Sequence, residues 1–89
     1  MSILSQRTKE VYLMTNNSLP NKRTIERLQK MYPQGTRVEL IEMSDPYSSL
    51  TPGEKGTVSM IDDMGTIFVD WDSGSALGVI HKVDKIRKL

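Results

Sequence analysis

The hydrophobic rhythm of this chain changes once, at Gly35. Before it, Ile25, Leu28, Met31 and Tyr32 recur at three- and four-residue spacing, which puts them on one stripe of a helix. Lys22, Arg23, Glu26, Arg27 and Lys30 mostly take the remaining surface. Ser18 is suited to cap the helix, and Pro20 fits the first turn, where a missing N–H costs nothing. Pro33 ends it, because the residue before a proline avoids helical geometry. The pattern therefore predicts an amphipathic helix over residues 18–33, preceded by an arm, residues 1–17, whose structure the pattern leaves open.

After Gly35 the period falls to two. Val38 and Leu40 share one face of a strand over 36–43, opposite Arg37 and Glu39. Asp45-Pro46 and Pro52-Gly53 mark a long irregular loop. Strands are then expected over 56–62, with Val58 and Met60 inward, and over 66–71, with Ile67, Val69 and Trp71 inward. Asp63-Met64-Gly65 forms the turn between them. A fourth strand over 76–80, a short helical turn at Val83-Asp84-Lys85 and a fifth strand over 86–89 complete the pattern. The expected fold class is mainly β: a small five-stranded SH3-like barrel over residues 35–89, preceded by one α-helix that packs on it. Short curved strands that close on themselves would hide most of the sheet edges. An OB-fold is the alternative, with longer strands and more residues than this chain offers.

Composition narrows the chemistry. The chain has 89 residues and no cysteine, which removes thiolate metal sites, cysteine nucleophiles and disulfides together. The longest apolar stretch, Val11-Tyr12-Leu13-Met14, is far too short to span a bilayer, and no basic start with an apolar run marks a secretory signal. The expectation is a cytoplasmic, non-membrane protein. The net charge of +1 hides an asymmetry: residues 1–34 carry six basic side chains against two acidic ones, and residues 35–89 six against nine.

Two runs of residues carry a family resemblance. Tyr32-Pro33-Gln34-Gly35-Thr36-Arg37-Val38-Glu39-Leu40 is the first. The second comprises, in order, Asp45-Pro46-Tyr47, Leu50, Pro52-Gly53, Gly56-Thr57-Val58, Asp62-Asp63, Gly65, Trp71-Asp72, Gly74-Ser75 and Leu77. From residue 32 to the end, the chain resembles a bacterial and phage family, the domain of unknown function numbered 4314. The resemblance implies a small domain from a bacterium, a phage or another mobile element. It implies no activity and assigns no site residue.

No catalytic set assembles, so the expectation is not an enzyme, with no metal and no cofactor. His81 is the one histidine and has no second histidine or cysteine beside it. Asp62, Asp63, Asp70 and Asp72 lack the alternating spacing of a calcium loop, and Asp62, Asp63 and Asp72 fall at turns, where aspartate caps backbone N–H groups. The six glycines are scattered and read as turn glycines, with no phosphate-binding loop among them. Trp71 shares parity with Ile67 and Val69 and is expected in the core.

Two binding readings stay open. The first is a module that binds a protein or peptide, including a second copy of itself through Val11–Met14. Its candidate contacts are Pro46, Tyr47 and Leu50 of the long loop and Phe68, whose parity is opposite to the core. For the loop residues the competing expectation is that they pack down over one barrel end. For Phe68 it is cover by the helix stripe. The second reading is an accessory nucleic-acid binder using Lys22, Arg23, Arg27 and Lys30 together with Lys82, Lys85, Arg87 and Lys88.

Overall fold

A computed structural model describes residues 20–45 and 48–89. Helix α1 spans Lys22–Met31. Its N-cap is Asn21, whose Oδ1 accepts the Thr24 N–H at 2.8 Å. The helix thus starts later than Ser18 would have it: Asn21 has the right side chain in extended geometry, and Pro20 precedes the cap. At the other end the Tyr32 N–H donates to the Leu28 carbonyl at 2.8 Å before Pro33 turns the chain away.

Among the described residues the remaining elements are five antiparallel strands: β1 (Arg37–Glu42), β2 (Lys55–Ile61), β3 (Thr66–Trp71), β4 (Val79–Ile80) and β5 (Lys85–Lys88). They form one sheet in the order β4-β3-β2-β1-β5. The mainly β architecture with one preceding helix is as expected. Closure is not: the hydrogen-bonded ladder ends on β4 and on β5, so the sheet is open.

The sheet is nonetheless curled. Four inter-strand steps of about 4.8 Å would set the edges of a flat five-stranded sheet about 19 Å apart. Ile80 and Lys85, on opposite edge strands, are joined by a connection that reaches at most about 17 Å when fully extended. That connection is not extended. The Val83 and Asp84 N–H groups both fold back onto the Ile80 carbonyl, at 3.0 and 2.9 Å. The two edges must therefore bend toward one another, which wraps the inner face around a single core.

That core contains Val38, Leu40, Val58, Ile61, Ile67, Val69, Trp71 and Val79, with Leu28 from the helix and Leu50 from the long loop. Trp71 is 3% exposed and donates its indole N–H to the Leu77 carbonyl at 2.9 Å, so its polar atom is satisfied.

Strand β2 corrects two expectations. Met60 is 54% exposed rather than inward, and Ile61 takes the core position. The cause is an irregularity in the β2–β3 pairing, where Val58 faces Val69 but Met60 faces Phe68. One extra residue, Ser59, reverses the parity of the rest of the strand. The second is Gly56, expected both as the first residue of a strand over 56–62 and among the turn glycines: it lies in β2 opposite Trp71, which bears out the strand and not the turn. A Cβ there would meet Val69 Cγ1 at 2.6 Å and the Asp70 carbonyl oxygen at 2.8 Å, so the sheet closes over this residue only because it has no side chain.

The helix is pinned at both ends. Near its start, Pro20 and Ile25 pack on Gly65 in the β2–β3 turn; a Cβ there would lie 3.0 Å from Pro20 Cγ, and the residue has φ +83°. Further along, Leu28 enters the core and shares the lining of one groove with the inner-face residues Ile67 and Val79. The stripe therefore covers the inner face and not Phe68, which has the opposite parity and stays half-buried on the outer face. Of the four stripe residues only Leu28 is buried, and Met31 is 43% exposed.

Candidate functional site

The candidate site is a groove of about 510 Å³ between the second half of α1 and the segment linking β4 to β5. Leu28, Ile67 and Val79 form its apolar floor, and Met31, Tyr32, Ile41 and Ile86 its walls. Ile41 is 42% exposed, an apolar side chain at the polar parity of β1, just where the pairing with β5 shifts register. Large apolar side chains left in water on a small domain mark places where something docks when they converge, and Met31 and Ile41 converge here.

The rim is cationic. Arg27 stands on the helix side, and His81, Lys82 and Lys85 on the side of the β4–β5 turn and β5. Desolvation, then the charges of Lys82 and Arg27, lower the His81 pKa below the usual histidine value, so the imidazole is predominantly neutral at pH 7. Among the described residues neither Arg27 nor Lys82 takes part in an ion pair, and Lys85 reaches Glu42 only at 3.7 Å, with both side chains well exposed.

Asp84 builds this rim. It is 5% exposed and lies at the groove. One carboxylate oxygen accepts the Ser44 N–H and the other the Ile80 N–H, each at 2.9 Å. The Ser44 hydroxyl in turn donates to the Val83 carbonyl at 2.6 Å. The aspartate thus clamps the end of β1 to the turn that displays His81 and Lys82. Lys82 has φ +69°, the left-handed region that lysine adopts at a cost.

The residues that the sequence pattern marks as candidates fare unevenly. Pro46 and Tyr47, with Val11–Met14, lie outside the described residues. Leu50 is 6% exposed and belongs to the core, so it presents nothing to a partner. Phe68 sits on the outer face opposite Met60. Of the eight basic residues, Arg27, Lys82 and Lys85 meet at the groove. Lys22 borders a shallower hollow with Pro20, Ile25, Glu26, Gln29 and Asp63, and Arg87 is held by Glu39 at 2.6 Å. Asp62 caps its turn as expected, accepting the Met64 and Thr66 N–H groups at 2.9 Å. Asp72 instead takes a two-pronged ion pair from Arg37, at 2.8 and 2.7 Å. That contact lowers the Asp72 pKa and raises that of Arg37.

Ile41, Ile86 and Asp84 are site residues that sequence reasoning misses. Ile41 does carry a signal, an apolar residue at a polar parity. Asp84, between Val83 and Lys85, carries no local mark of burial.

Among the described residues no group of three or more His, Asp or Glu side chains is placed to hold a metal ion. No helix among them is long and apolar enough to cross a membrane.

Fold and groove together define a class: a small mainly β domain with, among the described residues, five antiparallel strands and one helix, and an open, cation-rimmed apolar groove where the helix meets the sheet edges. The sequence profile of the domain of unknown function 4314 matches residues 21–89, which takes in the helix and all five strands, and the chain belongs to this family. No curated protein and no solved structure matches it.

Proposed function

We propose that this domain is a non-enzymatic binding module that docks a segment of another protein in the groove between α1 and the β4–β5 turn. The observation that carries the reading is the convergence of Met31 and Ile41, both more than two-fifths exposed, on the walls of one groove with a continuous apolar floor. An apolar face of this kind favours insertion of apolar side chains from a short extended or helical segment. The curled five-stranded core, of the SH3-like kind, supplies a rigid frame, and the groove residues come from the helix, β1, β3, β4, the turn and β5.

Selection from a displayed library of random peptides tests this reading. Peptides enriched on the native domain should lose their enrichment on a Met31→Glu/Ile41→Glu double variant, whose substitutions lie at exposed positions. The buried emission of Trp71 verifies that the variant is folded. Peptides enriched equally on both proteins would overturn the reading.

A further inference from the structure

The groove also has a chemical preference at its edge. We propose that its occupant is an acidic amphipathic segment, with apolar side chains seated against Met31 and Ile41 and Asp or Glu side chains reaching Arg27, Lys82 and Lys85. This rests on the groove being a docking site, and adds what it selects.

Charge complementarity is the first support. Cations approach the apolar floor from both sides, Arg27 from the helix and Lys82 and Lys85 from the turn and β5. Among the described residues Arg27 and Lys82 have no acid paired with them, and the 3.7 Å Lys85–Glu42 contact is exposed enough to exchange for another carboxylate. Asp84, the one acid among the described residues lining the groove, has each oxygen engaged by a backbone N–H and holds the turn in place.

The second support is the backbone of Lys82. At φ +69° a glycine would sit without strain, so the position carries a conformational cost while presenting an ammonium at the rim. Stability given up at an exposed residue is the pattern of a binding surface. The neutral His81 adds a tunable group, because an anion bound beside it favours its protonated form.

A nucleic acid fits the same cations less well. Its phosphates gain nothing from Met31, Ile41 and Ile86, and Arg87 is already held by Glu39.

The peptide selection decides this too, if the enriched sequences are read for charge and their affinities measured at two salt concentrations. The expected result is sequences rich in Asp and Glu beside apolar anchors. Their affinity should fall about five- to tenfold when the acids are replaced by Asn and Gln, when the domain carries Arg27→Gln with Lys82→Gly, or when salt is raised. Groove-dependent peptides without an acid excess, or ones that bind the Arg27→Gln/Lys82→Gly variant as well as the native domain, would overturn this inference and leave the groove reading standing. Absence of any groove-dependent peptide would overturn both. A single-stranded DNA oligonucleotide that binds through Arg27 and Lys82, and ignores Met31→Glu/Ile41→Glu, would replace the acidic segment with a polyanion.

Discussion

The outer face of the sheet and the groove end are both rich in charge, but they use it differently. On the outer face the charges answer one another across strands: Arg37 grips Asp72 and also donates to the Thr57 hydroxyl at 3.0 Å, and Arg87 grips Glu39. At the groove Arg27 and Lys82 ring an apolar floor with no acid of the described residues paired to them. The ion pairs Arg37–Asp72 and Arg87–Glu39 are satisfied within the fold, although Asp70 stands exposed on the same face outside any ion pair among the described residues. Exposed apolar side chains enclosed by cations are completed only by something that brings apolar surface and negative charge together.

The contrast breaks first at Asp84. Asp84→Ala leaves the buried Ile80 N–H and the part-buried Ser44 N–H without their acceptor and should cost about 2–4 kcal/mol, read from urea unfolding followed by Trp71 fluorescence. Asp72→Ala on the outer face, removing an ion pair whose side chains are 43% and 57% exposed, should move the same midpoint far less. Equal losses would erase the distinction between a clamp and a surface pair.

Next comes Met31→Glu/Ile41→Glu. Stability should change by less than about 1 kcal/mol, since both side chains are more than two-fifths exposed, while groove-dependent peptide binding disappears. A large stability loss would make these residues core rather than contact.

Smaller still is Lys82→Gly. Relief of the left-handed backbone should raise stability by about 0.5–1 kcal/mol while weakening binding of acidic peptides. A loss of stability would show that the lysine holds the turn.

Strand β3 is legible in the sequence from Ile67 to Trp71, because Ile67, Val69 and Trp71 keep an alternation that the fold leaves undisturbed; only Thr66, buried at the outward parity, departs from it. Strand β2 is legible only as far as Val58. The bulge at Ser59 belongs to the pairing of two strands and leaves no trace in the local pattern. Gly56 reads as a turn residue because a glycine required by close approach looks the same, in sequence, as one required by a turn. The groove is the least legible feature. It joins Arg27 and Met31 to Ile41 and to a turn far along the chain, at His81 and Lys82, and only the curl of the sheet brings these together.

Acid sharpens the comparison with the smallest effect. His81 has a folded-state pKa lowered below its ordinary 6.5, by burial and then by Lys82 and Arg27. Its neutral form is therefore the one the fold prefers. Stability is full above 6.5 and declines as pH falls from there through the lowered folded value. An acidic peptide reverses this locally, with Arg27, Lys82, Lys85 and Asp84 also lining the groove. Its affinity should rise modestly between about pH 7.5 and about pH 5.5, the range in which histidine titrates, and His81→Gln should flatten that rise. Asp72 on the outer face, lowered by its Arg37 hydrogen bond, and Glu54 in the loop before β2, lowered by the Thr51 N–H and then Ser73, act only at lower pH. Their stabilisation is present above their unfolded values of 3.8 and 4.5 and is lost as pH falls through the lowered ones.

The most direct measurement is a map of backbone amide shifts by NMR as the most enriched peptide is titrated into the native domain. A docking groove predicts that the perturbed amides cluster at residues 27–32, at Ile41 and across 81–86, with Arg37, Thr57 and Asp72 unmoved. Shifts centred on the outer face around Arg37 and Phe68, with the helix and the β4–β5 turn unchanged, would contradict it.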